Sequence, residues 1–211
     1  MKIKVCGMKY RDNVLSVAGL YPDYMGFIFY ERSPRHFSGS LPQLPESVKK
    51  TGVFVNESLA QVIEMIRQYD LKAVQLHGDE TAGYCGELKG LAGPGIEIIK
   101  AFSMSSDFDF NLLGPYSGFC DYFLFDTKGK ERGGNGSLFD WNILKGYPLE
   151  KPFFLSGGIG LSAFPLLDEF LKDPASKHCY AIDVNSKFES EPGLKRIEEL
   201  KVFFKQIENI N

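Results

Sequence analysis

The sequence predicts an α/β protein whose eight parallel strands close into a single (β/α)8 TIM barrel. Eight short apolar or β-branched runs recur along the 211 residues, and segments of helical periodicity lie between them. Several runs lack polar alternation, as strands covered on both faces do. Repeated strand–helix alternation implies parallel pairing through right-handed crossovers, and eight units imply closure. A doubly wound open sheet is the alternative. Its usual phosphate-binding signature is missing, because Cys6-Gly7-Met8 stands where a GxGxxG would follow the first strand. No linker, low-complexity stretch or repeat beyond the βα unit is visible, so one barrel domain is expected over residues 1–211, with lean loops.

The expected strands are 2–6, 24–30, 51–56, 72–77, 97–102, 121–126, 152–156 and 179–184. The clearest helix is 58–69, where Leu59, Val62, Ile63, Ile66 and Tyr69 share one face. Ser58 and Gln61 have capping-box spacing at its start. A second amphipathic segment, 194–207, puts Leu194, Ile197, Leu200, Phe204 and Ile207 on one side. Helices are also expected at 11–20, 42–49, 81–91, 140–145 and 162–171. The pattern over 105–116 is the weakest, because Gly114-Pro115 breaks it.

Composition narrows the function classes. Hydrophobic residues make up 44% and charged residues 24%, as in a folded globular protein. The net charge of -3 and the absence of a basic run argue against a nucleic-acid surface. No apolar stretch nears the ~20 residues of a membrane span, and the chain begins directly in a strand-like pattern, so no signal peptide is expected. Cys6, Cys85, Cys120 and Cys179 have neither CxxC nor His-paired spacing, so no metal site and no disulfide framework is expected. A reducing cytoplasm suits them. The expected state is a monomer, with a homodimer as the alternative.

In a barrel, chemistry takes place at the C-terminal ends of the strands. Those ends carry Cys6, Tyr30 with Ser33-Pro34-Arg35, Asn56, His77, Phe102, Asp126, Ser156-Gly157-Gly158, and Asp183-Val184-Asn185-Ser186. After Asp126 comes Gly133-Gly134-Asn135-Gly136, then a helix start at Asp140. A carboxylate at the tip of a buried strand beside a glycine-rich loop suggests an acid or base next to a phosphorylated substrate. The plainer reading is a capping Asp and a flexible turn. Glycines after strands six and seven, with Asn185-Ser186 after strand eight, match the usual phosphate position of barrels.

These residues resemble the phosphoribosylanthranilate isomerases of tryptophan biosynthesis. The matching stretches are Lys4-Val5-Cys6-Gly7, Gly26-Phe27-Ile28-Phe29 through Ser33-Pro34-Arg35, Gly52-Val53-Phe54-Val55-Asn56 and Val74-Gln75-Leu76-His77-Gly78. Further on come Phe125-Asp126-Thr127, the Gly133–Gly136 loop, Phe139-Asp140-Trp141, Ser156-Gly157-Gly158, and Asp183-Val184-Asn185-Ser186 with Glu189 and Pro192-Gly193. Their order covers essentially the whole chain. The resemblance implies an Amadori rearrangement, an aldose–ketose interconversion of a phosphosugar, without metal or organic cofactor. It implies Cys6 as general base, Asp126 as general acid, and Arg35 against the anthranilate carboxylate. Gly133, Gly134, Asn135, Gly136, Gly157, Gly158, Asp183, Asn185 and Ser186 are expected around the substrate.

Chemistry adds demands to these roles. A thiol with a pKa of about 8.5 needs local positive potential to serve as a base. An acid needs its proton near neutral pH, which burial favours. Arginine's fork suits a planar carboxylate. Three residues depart from the family pattern: Lys187 where Gly is usual, Asn185 where Ser is usual, and Ile159-Gly160 where Leu-Asn is usual. Cys85, Cys120 and Cys179 are expected as inert packing, His77 as a positioned structural residue, Asp140 as a helix cap and Trp141 as packing. For Asp183, orienting backbone is the competing role; for Arg35, it is a surface salt bridge. Another phosphosugar barrel enzyme and a non-enzymatic phosphate-binding barrel stay open as functions, since fold alone excludes neither.

Overall fold

The computed structural model describes residues 1–127 and 139–210. Eight parallel strands close into a barrel in sequence order. They are β1 (Lys2–Val5), β2 (Tyr24–Ile28), β3 (Lys49–Phe54), β4 (Ala73–Leu76), β5 (Glu97–Met104), β6 (Tyr122–Thr127), β7 (Phe153–Leu155) and β8 (Cys179–Val184). Each overlaps the run expected for it. Outside them lie α1 (Arg11–Ala18), α2 (Leu59–Tyr69), α3 (Ala82–Ala92), α4 (Phe164–Lys172) and α5 (Ile197–Glu208). Short 3-10 segments, Phe110–Tyr116 and Trp141–Gly146, follow β5 and β6. Among the described residues, no helix is long and apolar enough to cross a membrane.

Strand parity sorts the core into two parts. The inward face of six strands supplies Tyr24, Ala73, Ile99, Ala101, Leu124, Phe154 and Ala181, which pack together inside the barrel. The other face supplies Val5, Met25, Phe27, Val74, Leu76, Ile98, Phe123, Phe153 and Ile182, which pack against the helices. Small residues at 73, 101 and 181 leave room for the rings of Tyr24 and Phe154, whose centroids are 5.2 Å apart. Below them, Glu97 accepts from Tyr24 Oη (3.0 Å) and pairs with Lys49 (2.5 Å), closing the floor with polar groups that reach water.

Local signals explain the helices that form. Ser58 caps α2 by accepting from the Gln61 N–H (3.3 Å), and Thr81 caps α3 by accepting from Tyr84 N–H (3.2 Å). The reciprocal half of the expected capping box is replaced: the Ser58 N–H donates to the Glu57 carboxylate at 2.7 Å. Asp140 accepts from the Asn142 N–H (3.0 Å), so it caps its segment as expected, but that segment is 3-10. Trp141 is buried packing.

Two expectations fail. No helix forms at 42–49. Pro42 and Pro45 interrupt it, and Lys49 and Lys50 extend β3 by pairing with Tyr24 and Met25. The place a helix would fill is covered by Phe37, whose N–H donates to Ile28 O (2.8 Å) and whose ring packs on Phe27 and Phe29 with centroids 5.1 and 6.1 Å away. The segment 194–207 does not begin as a helix either. Pro192-Gly193 turns the chain, and Leu194–Lys195 (β10) pairs antiparallel with Glu189–Glu191 (β9) before α5 starts.

One side chain ties this hairpin to the barrel. Asn13 on α1 donates through Nδ2 to Lys195 O (2.9 Å) and accepts at Oδ1 from Lys195 N–H (2.8 Å), and all of these groups are buried. Each buried group left without a partner costs about 1–3 kcal/mol. Asn13→Ala is therefore expected to destabilise the fold by about 2 kcal/mol or more. Urea unfolding should show a lower midpoint at an unchanged slope.

Candidate active site

The C-terminal ends of the strands gather most of the expected residues at one mouth. Cys6 follows β1 and is 4% exposed. Its N–H donates to Val184 O on β8 (2.9 Å). Its sulfur lies against Gly26 of β2, where an added Cβ would come within 2.6 Å of Sγ. A side chain at position 26 would displace the thiol.

Beneath Cys6, two residues back on the same face of β1, is Lys4. It is fully buried and its Nζ lies 2.9 Å from Asp183 Oδ1 on β8. The other Asp183 oxygen accepts from Ser156 Oγ at 3.3 Å. Asp183 is thus enclosed by the side chains of Lys4 and Ser156 rather than by the backbone groups it was expected to orient. Burial opposes charge on Lys4, but Asp183 and the Cys6 sulfur outweigh it and raise its pKa. Burial pushes Asp183 up against the pull of Lys4.

Arg35 lies in the β2–β3 loop, held at its backbone by Ser33 Oγ (3.2 Å). Its guanidinium is engaged side-on by Glu189, with Nε at 2.9 and 3.0 Å and Nη2 at 2.7 Å from the carboxylate oxygens. This is a buried pair, not the surface salt bridge that was the alternative. The side-on grip uses the Nε–Nη2 edge and leaves the Nη1–Nη2 end for a second carboxylate. Lys195 Nζ shares Glu189 (2.6 Å) and donates to Asn185 Oδ1 (2.7 Å). Burial opposes ionisation of Glu189, but Arg35 and Lys195 hold its carboxyl below the usual range. For Lys195, burial prevails over Glu189 and lowers the pKa to about 8.

Across the mouth, Asp126 on β6 accepts at Oδ1 from the Thr127 N–H (2.9 Å). Its Oδ2 lies 3.4 Å from His77 Nε2. His77 was expected to be positioned by hydrogen bonding, and its Nδ1 is 2.7 Å from Gln75 Nε2. The next residue, Gly78, is clamped by Glu80, which accepts from Gly78 N–H (2.9 Å) and pairs with Lys100 (3.1 Å).

After β7, Gly157 and Gly158 take φ of 90° and 69°. An added Cβ at Gly157 would fall 2.6 Å from Thr127 N. Both lie in the positive-φ region that favours glycine. Ser186 opens a one-turn 3-10 segment, Ser186–Phe188, after β8. Two of the departures from the family pattern are linked here. Gly160 makes room for Lys187, since a Cβ at 160 would lie 2.8 Å from Lys187 Cβ. Gly133, Gly134, Asn135 and Gly136 lie outside the described residues. Among the described residues, no group of three or more His, Cys, Asp and Glu could hold a metal ion.

Sequence reasoning passed over Lys4, Gln75 and Lys195 as site residues. Lys4 left a signal: within β1 it shares the parity of Cys6, so a lysine was bound to enter the barrel. Cys85 and Cys120 are buried packing, and Cys179 is half-buried.

Burial pushes the Cys6 thiol up, Lys4 and Lys195 pull it down, and Asp183 adds to the rise; burial prevails. The resting protein therefore carries a neutral thiol rather than the preformed thiolate that a base would need. The ultraviolet thiolate absorbance of the native protein, minus that of Cys6→Ser, is expected to stay flat up to the ordinary thiol range near about 8.5 and to rise only above it. A step centred below that range would contradict this balance.

Comparison with known proteins gives the family. A family model described as N-(5'phosphoribosyl)anthranilate (PRA) isomerase matches residues 3–206. The chain is 44% identical to the N-(5'-phosphoribosyl)anthranilate isomerase of Parabacteroides distasonis, covering 98% of this chain and 93% of that protein. It is 40% identical to the enzyme of the same name from Phocaeicola vulgatus, covering 98% of both. A solved phosphoribosylanthranilate isomerase in complex with reduced 1-(o-carboxyphenylamino)-1-deoxyribulose 5-phosphate superposes with a TM-score of 0.80 at 28% identity, over 99% of both chains. The chain belongs to the N-(5'-phosphoribosyl)anthranilate isomerase family.

Proposed function

We propose that this mouth carries out the Amadori rearrangement of N-(5-phosphoribosyl)anthranilate to 1-(2-carboxyphenylamino)-1-deoxyribulose 5-phosphate, with Asp126 as acid and Cys6 as base. The observation that carries the assignment is the pairing itself. A carboxyl on β6 and a thiol after β1 face one mouth from three strands apart, and the thiol is backed by two buried lysines.

The acid acts first. Asp126 gives a proton to the furanose ring oxygen, the bond from that oxygen to C1 breaks, and the anilino nitrogen supplies the electron pair for a C1=N Schiff base. Cys6 gives its thiol proton to water at the open mouth, and the thiolate so formed, faced by Lys4 and Lys195, then takes the proton from C2. The C2 electron pair forms C1=C2, and the C1=N pair returns to nitrogen, giving an enolamine. Loss of the C2 hydroxyl proton and gain of a proton at C1 yield the ketose. Each placed acid or base contributes roughly 10²–10⁴ in rate.

The neutral resting thiol must therefore be deprotonated before each turnover. Lys4 and Lys195 are the cations that lower the cost of the thiolate when it forms, and Asp183 keeps Lys4 beside it. The Nη1–Nη2 end of Arg35, steadied by Glu189, suits the anthranilate carboxylate. Backbone N–H groups at Gly157-Gly158 and at Ser186 suit the 5'-phosphate, which needs no lysine there. The Gly133–Gly136 loop is proposed to complete that site, and a small phosphosugar to be the only partner the chemistry requires. A cytoplasmic setting suits the free thiol base.

Turnover is tested with freshly made phosphoribosylanthranilate, followed by loss of its fluorescence. Cys6→Ala and Asp126→Ala are each expected to lower kcat at least ~10²-fold with the fold intact. Near-normal turnover in either variant would remove the role given to that residue. Arg35→Ala is expected mainly to raise KM, and an unchanged KM would free Arg35 from the carboxylate. Silent wild-type protein that is still stabilised thermally by a phosphorylated ligand would favour a binding role.

A further inference from the structure

The proposed mechanism leaves the buried Gln75 side chain at the mouth unused. Gln75 on β4 precedes His77, the first residue past that strand, by two positions, so both face the barrel interior. Gln75 is 1% exposed. Its Nε2 lies 2.7 Å from His77 Nδ1, while its Oε1 is buried without a hydrogen-bond partner. On the far side of the ring, His77 Nε2 is 3.4 Å from Asp126 Oδ2. Catalytic contacts of this length are common before substrate binds.

Hydrogen-bond inventory decides the tautomer. A glutamine amide nitrogen only donates, so His77 Nδ1 accepts. A neutral imidazole that accepts at Nδ1 carries its hydrogen on Nε2. The Nε2 that carries it is the ring nitrogen 3.4 Å from Asp126 Oδ2. The opposite amide orientation would set Oε1 against an Nδ1–H and bury an NH2 group with two unpaired donors. Buried orphan donors are rarer than a single under-satisfied carbonyl oxygen, which favours the arrangement seen. The backbone beneath the ring cannot drift, because Glu80 and Lys100 clamp Gly78.

We propose that Gln75 is a positioning residue that holds His77 in its Nε2–H tautomer, so that the imidazole aims the Asp126 carboxyl without taking its proton. The inference rests on Asp126 being the acid. An imidazole with a bare Nε2 would accept that proton and compete with the ring oxygen of the substrate. An imidazole already bearing hydrogen on Nε2 can only donate to the carboxyl. The proton on Asp126 is then left for the sugar.

Nitrogen-15 NMR of histidine-labelled full-length protein reads the tautomer independently of activity. In the wild type, His77 is expected to show a bare Nδ1 and a protonated Nε2. In Gln75→Glu the new carboxylate accepts from the ring, and Nδ1 is expected to gain a hydrogen. In the same variant kcat is expected to fall about 10–100-fold, the usual cost of losing a residue that orients a functional histidine, with KM within about twofold. Gln75→Leu, close in volume, is expected to lower kcat in the same way and serves if the glutamate variant does not fold. A protonated Nδ1 in the wild type would overturn the proposal. So would normal turnover in Gln75→Glu once its Nδ1 is protonated, provided Asp126→Ala is silent. Active Asp126→Ala would instead remove the acid assignment on which the proposal stands.

Discussion

Everything at the barrel mouth depends on one buried ion pair at the seam. The chain closes on itself where β1 meets β8, and Lys4 is the register partner of Asp183 across that junction. Their side chains meet at 2.9 Å in the interior, directly below Cys6. Neither charge reaches water, so each needs the other. Removing one partner of such a pair costs several kcal/mol, because it strands a buried charge. The pair therefore constrains closure of the fold and places a fixed cation under the thiol. Ser156 extends it to β7, so three neighbouring strands share one polar layer.

Charge is deliberately uneven above that layer. Around Cys6, three cations (Lys4, Arg35 and Lys195) face two carboxylates (Asp183 and Glu189). The surplus is positive, although the whole chain carries a net charge of -3. In a poorly hydrated mouth such a surplus acts strongly. It favours an anion at Cys6 and an anionic ligand beside Arg35. Burial sets the opposite bias, and the neutral resting thiol is their sum. On the β6 side no such surplus exists. There Gln75 lies 2.7 Å from His77, and His77 lies 3.4 Å from the Asp126 carboxyl. The two halves of the mouth thus differ: one gathers cations around a thiol, the other sets a histidine beside a carboxyl.

Much of the barrel was legible because strand burial writes a strong local pattern. All eight runs were found, since a strand covered on both faces must be apolar nearly throughout. Strand ends then located Cys6, His77, Asp126 and Gly157 at one mouth. Helices were harder. The segment 42–49 has some helical periodicity, yet two prolines and the demand of β2 for pairing partners overrode it. Leu194 fits the amphipathic pattern of α5, but Pro192-Gly193 turned it into a hairpin. In both places tertiary pairing prevailed over local periodicity.

The sequence by itself determined the fold class, the family and the set of strand-end residues from which a site could be built. Those follow from local order: parity within strands, breaks between them, and residue types at their tips. Only the tertiary structure decided which charges neutralise one another. Lys4 meets Asp183 across 179 residues, and Arg35 meets Glu189 across 154. No local pattern encodes such partners, because contact between them exists only once the barrel has closed. Their pairing also decides how each group behaves. Lys4 stays charged in a dry interior, Arg35 presents one end rather than its whole fork, and Cys6 rests as a thiol, because burial and neighbouring charge are properties of the folded chain alone.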